Sequence, residues 1–166
     1  MDTRQRWESS EKIDVRNKFP LISYEELEEE RYLDVYEKIC VSIFKKSLTV
    51  DEAKKQLSGT DLKNNHTKFI FNLKGFLMEL SSIESLYLIL EDENQKEEII
   101  TLKLIREKKI NSIIEKAKEN DLKIIAYKTG FIFELVFDLS FILHVVKGSD
   151  LETIKDLIKK NGLFVL

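Results

Sequence analysis

Cysteine is almost absent from this chain. Cys40 stands alone, so no intramolecular disulfide can form and no cysteine-rich metal site can be assembled, which fits a reducing compartment. Histidine is nearly as scarce: His66 and His144 are the only two, and neither has a neighbour at metal-ligand spacing. One proline, Pro20, and five glycines among 166 residues leave no room for a Pro/Gly-rich linker or a glycine-rich phosphate loop, and neither GxGxxG nor GxxxxGK[ST] occurs. Apolar runs are short as well. None reaches the roughly 18 residues of a membrane span, and residues 1–18 alternate acidic and basic side chains without the apolar stretch of a secretory signal, so a cytoplasmic location is expected. Nor does charge of one sign dominate, since 27 basic and 30 acidic residues give a formal net charge of −3. A protein whose main business is coating nucleic acid would instead show a domain pI above about 9.

What the chain does hold is a full hydrophobic complement, 43% apolar beside 34% charged residues, enough for one compact unit of two lobes. Residues 1–20 are polar and aperiodic up to Pro20 and read as a flexible arm. Ser23-Tyr24-Glu25-Glu26 is a capping box. Beyond it Leu27, Tyr32, Leu33, Tyr36, Ile39, Cys40, Ile43 and Phe44 recur at three- and four-residue steps, which predicts an amphipathic helix over 24–46. A second box, Thr49-Val50-Asp51-Glu52, opens a short helix over 50–58 that Gly59 would end. Phe69, Leu73, Phe76, Leu77 and Leu80 then predict a helix over 67–81, with Asn64-Asn65-His66 as a turn before it.

After Ser82 the period changes. Leu86–Leu90 and Ile99–Ile105 read as two strands, and Arg106–Asn120 as an amphipathic helix. Thr129-Gly130 is a two-residue connection that would place Lys128 opposite Phe131 and Ala126 opposite Phe133. From Phe131 to Val145 every odd position is apolar, a run too long for one ordinary strand. The segment 131–146 is therefore either one bent strand or a second hairpin turning at Asp138-Leu139-Ser140 through a three-residue loop that preserves the parity. Ser149-Asp150-Leu151-Glu152 is a third capping box, Asn161-Gly162 closes that helix, and Leu163–Leu166 reads as a last strand. The fold expected is α+β: a helical N-terminal lobe over 21–82, then a sheet lobe over 83–166 with or without a core of its own. The strand and helix order of that sheet lobe resembles a ferredoxin-like (split βαβ) antiparallel sheet with an extra hairpin strand.

Little chemistry stands out. If the chain turns at 138–140, Glu134, Asp138 and His144 come together and imitate an acid–base set, although apolar Ile132, Val136 and Ile142 on the same face suit ordinary surface better. His66 reads as exposed, and Cys40 as a small hydrophobe. The stretch 49–74 has the outline of a helix-turn-helix, with Lys63, Asn64 and Lys68 placed to contact nucleic acid, but a mildly basic solvated loop accounts for them equally. The acidic run with Glu28, Glu29 and Glu30 suits a helix start and would also dock a basic partner, while Trp7 and Phe19 in the polar arm are aromatic anchors for recognition. No catalytic residue, metal or cofactor is assigned. The leading expectation is a non-enzymatic regulatory or scaffolding protein acting through protein–protein contacts, with a homodimer as one form of such contact. The alternatives are a ligand-responsive DNA-binding regulator reading through 49–74, and a small enzyme built on Glu134, Asp138 and His144.

Overall fold

A computed structural model describes residues 17–20, 30–91, 100–116, 122–136 and 139–166. A four-residue helix α1 (Tyr32–Val35) runs directly into β1 (Tyr36–Ser42). Two helices follow, α2 (Val50–Gln56) and α3 (Gly59–Ile83), then β2 (Leu86–Glu91) and β3 (Ile100–Ile105). A 3-10 turn over Glu107–Lys109 leads into α4 (Ile110–Lys116), and β4 (Lys123–Ala126), β5 (Phe131–Val136), β6 (Ser140–Val146), α5 (Leu151–Lys160) and β7 (Phe164–Val165) complete the chain. All seven strands join one antiparallel sheet in the order β3-β2-β4-β5-β6-β1-β7. Among the described residues no helix is long and apolar enough to cross a membrane.

The α+β class is as the sequence indicates, but the sheet is larger and reaches further back. Residues 36–42 are not the second half of a helix: they pair with β6 from Tyr36↔Val146 to Ser42↔Ser140 and hold β7 on their other side. The physical reason is a competition of periods. Ile39, Val41 and Ile43 alternate just as well as they step by threes and fours, and aromatic and β-branched residues favour a pleated surface once a partner strand is available. The Ser23 capping box lies outside the described residues. Strand order also departs from a ferredoxin-like sheet, in which β7 would lie beside β3; here the two occupy opposite edges. β3 and β4 flank β2, and β6 and β7 flank β1, so each outer pair runs parallel with one helix in its connection.

Three further boundaries differ from expectation. Gly59, at φ +55°, begins α3 instead of only ending α2, and the helix passes unbroken through Asn64-Asn65-His66 because the Asn65 amide finds partners outside its own helix, donating to the backbone and side-chain oxygens of Gln56, both at 3.0 Å. The cap of α5 is Asp150, whose carboxylate accepts from the Thr153 amide at 3.2 Å, rather than Ser149. The β4–β5 hairpin pairs Ala126 with Phe131, two residues out of the expected register, so its loop is the four residues 127–130. A shift of two leaves every side chain on its expected face. The box at Thr49 and Glu52 is formed as expected, each side chain bonded to the other's backbone amide. β5 and β6 form a second hairpin across 137–139, with Leu139 at φ +62°; Phe137 and Asp138 lie outside the described residues.

The odd positions of β5 and β6 cover one face with Phe131, Phe133, Phe141, Leu143 and Val145, all buried. Against them pack Phe69, Leu73, Phe76, Leu77 and Leu80 of α3, Ile110 and Ile114 of α4, and Ile154 and Ile158 of α5, in one continuous core that also takes in Ile39 and Val41. Phe141 is its centre, with ring centroids 4.8 Å from Phe133 and 5.5 Å from Phe76. The other face carries a smaller cluster of Tyr36, Ile89, Ile125 and Ile132 under Phe19 and Tyr32.

Candidate functional site

The second face of the sheet owes its polar centre to strand parity. If Phe133 and Leu143 point to the helices, Glu134 and His144 must point away, and the β5–β6 register sets them on adjacent strands one step apart, Glu134 opposite Ile142 and His144 opposite Ile132. His144 Nε2 meets Glu134 Oε2 at 2.7 Å. On the far side of the ring, Nδ1 meets the Tyr32 hydroxyl at 2.8 Å, and the Tyr32 ring stands edge-on to the imidazole with centroids 5.4 Å apart. Tyr36 stacks on Tyr32 at 5.5 Å. Lys38 on β1 is the register partner of His144, and Lys123 on β4 that of Glu134, so the array spans four strands and the α1 helix.

Its electrostatics are those of a locked array. The hydrogen bond from His144 holds the Glu134 carboxyl below the usual carboxylate range against the opposing effect of burial, with the charges of Lys123 and Lys38 adding to the shift. Burial pushes the Tyr32 phenol up to about 12, and the negative Glu134 adds to that. With Nε2–H donating to Glu134, Nδ1 accepts from Tyr32, and every polar atom of the imidazole is satisfied. Acid–base work on a substrate requires one nitrogen to face it, whereas His144 is a 5% exposed residue with both nitrogens engaged. The arrangement can hold α1 on the sheet, and both imidazole nitrogens are engaged while Tyr32 stays in place.

Of the acid–base trio considered from sequence, Glu134 and His144 are thus in contact, Asp138 lies outside the described residues, and the third member of the array is Tyr32. No sequence signal marks that residue, because its partner lies 112 positions away. Cys40 is half-buried on β1 opposite Ile142, and among the described residues no group of three or more His, Cys, Asp or Glu could hold a metal ion.

The remaining candidates lie elsewhere. Phe19 is completely buried, edge-on to Tyr127 at 5.9 Å, so this aromatic of the arm is anchored within the chain's own second cluster. Glu30 is exposed; Trp7, Glu28 and Glu29 lie outside the described residues. Lys63, Asn64 and Lys68 are exposed on α3 and His66 is half-buried there. One turn beyond Lys68 stands a residue that sequence reasoning passed over. Phe71 is 77% exposed, and Met78, two turns further along the same face, is 40% exposed. The signal was available: the buried stripe 69, 73, 76, 77, 80 puts position 71 on the opposite side of a helix. Comparison with known protein families, curated proteins and solved structures finds no match for this chain.

Proposed function

We propose that this protein is a non-enzymatic regulatory or scaffolding protein that works through protein contacts, and that the outer face of α3 is where a partner docks. The observation that carries this reading is Phe71. A phenylalanine in the middle of a 25-residue helix, 77% exposed while the helix's other aromatics Phe69 and Phe76 are buried, leaves apolar area in water that folding does not need there. Large aromatics surrounded by a polar rim are the commonest anchors of protein interfaces. A second observation in its favour is that both nitrogens of His144, the histidine in contact with Glu134, are taken up by Tyr32 and Glu134.

Phe71→Ser tests the proposal. Because the side chain is exposed, the variant should keep the wild-type unfolding free energy in urea to within about 0.5 kcal/mol, yet lose the protein that wild type cross-links to and recovers from its native cell. Unchanged recovery of the same partner by the folded variant would remove α3 from the reading.

A further inference from the structure

We infer that the segment docking on α3 is acidic, with an aromatic or aliphatic anchor flanked by Glu or Asp. This rests on the docking reading above and adds the chemistry of the partner. At about 100° per residue, Lys68 and Lys74 lie about 60° to either side of Phe71, and Lys63 about 80° away on the Lys74 side. Lys63 and Lys68 are exposed and Lys74 is half-buried, and none of the three is in a salt bridge among the described residues. The acids nearest this face do not neutralise it. Asp61 sits in the first turn, where it faces the positive end of the helix dipole, and Glu79 is engaged by Lys160 and the Asn161 amide. Asn64 and Thr67 complete the exposed stripe around Phe71. An apolar centre between unpaired cations is therefore what a partner meets, and charge complementarity selects one of opposite sign.

Other occupants fit less well. A second copy of α3 in a two-fold antiparallel pair centred on Phe71 would bring Lys74 of one copy against Lys68 of the other and Met78 against Asn64, repelling charge and leaving the methionine without an apolar mate. Duplex DNA would use Lys63, Asn64 and Lys68 but has no place for an apolar ring standing between the lysines and its phosphates. An anionic bilayer would meet three lysines and one inserted phenylalanine, short of the two strong signals that stable anchoring takes.

The probes are two synthetic amphipathic helices with the same Leu/Phe stripe, one flanked by Glu and one by Lys, titrated against the full chain by fluorescence anisotropy. The Glu-flanked peptide should bind at least about tenfold more tightly, and that margin should shrink as salt rises from about 0.05 to about 0.5 M. Phe71→Ser should weaken it by about tenfold, Lys68→Gln with Lys74→Gln should erase the preference, and Lys68→Glu with Lys74→Glu should reverse it. Equal binding of the two peptides overturns the inference. So does tighter retention by duplex DNA or phosphatidylserine vesicles that is insensitive to Phe71→Ser. The two readings fail separately: a native partner lost with Phe71→Ser but kept with Lys68→Glu and Lys74→Glu leaves the docking face standing and removes the acidic partner, whereas a partner indifferent to Phe71→Ser removes both.

Discussion

Tyr32, His144 and Glu134 show how much of a residue's behaviour is decided by what it touches. The folded pKa of Glu134 lies below the unfolded value of about 4.3, so its contribution to stability is complete above that pH and is lost as pH falls through the folded pKa. Glu134→Gln should therefore cost stability at neutral pH and flatten the acid limb of a urea-midpoint profile. Tyr32 runs the other way. With a folded pKa of about 12 against an unfolded value of about 10, its contribution is intact below pH 10 and disappears as pH rises towards 12. Tyr32→Phe should lower neutral stability by about 1–2 kcal/mol, since His144 Nδ1 loses its donor, and should remove the part of the alkaline loss that wild type shows between those two values. An alkaline limb identical in both proteins would refute the assignment. At the same scale, Phe19→Ala should cost about 3–5 kcal/mol, the range for a fully buried phenylalanine, which circular dichroism in urea would report. That outcome would show residue 19 to be core, not a free recognition anchor.

Elements were legible where a single period ruled. The alternation from Phe131 to Val145 survives in the structure because both strands of the β5–β6 hairpin bury their odd positions and a three-residue loop keeps the parity. The capping residue Thr49 marks a true helix start because its oxygen satisfies a first-turn amide wherever the helix lies, and the box read at Ser149 falls one residue short of Asp150, which caps α5. What could not be read was tertiary. The turn 127–130 draws its extra length from Glu84, whose carboxylate accepts from the Lys128 and Thr129 amides, each at 2.8 Å, from more than 40 residues away. No local pattern announces such a cap. The strand at 36–42 likewise became a strand only because β6 and β7 lie beside it. The turn supplies its own test: Gly130 has φ +90°, and a Cβ there would come 2.5 Å from the Ser149 hydroxyl. Gly130→Ala should destabilise by about 1–3 kcal/mol. Adding Ser149→Ala should recover only part of that, because the backbone strain remains; full recovery in thermal melts would show that crowding alone was responsible.

For the whole molecule, the seven-stranded sheet separates two kinds of surface. One face is shut by α3, α4 and α5; the sheet's other side holds the Tyr32–His144–Glu134 array under its own small cluster. What α3 turns outward is therefore the part of the molecule whose composition folding does not dictate, and that is why a proposed docking face was harder to see in the sequence than the core. The buried side of the helix must be apolar to fold, whereas Phe71 stands 77% exposed outside both clusters of buried residues.

The placement of β1 also governs how the chain must come together. Tyr36 pairs with Val146, so closing that ladder joins positions 110 residues apart, an entropic cost of about 4 kcal/mol that no local contact offsets beforehand. During synthesis, residues 36–42 emerge before most of the sheet exists, and they must wait for β6 and then for β7. The hairpins β2–β3, β4–β5 and β5–β6 can form while translation continues; β1 cannot. Until β6 and β7 have been made, residues 36–42 have no strand beside them, and ladders of such long sequence separation form slowly.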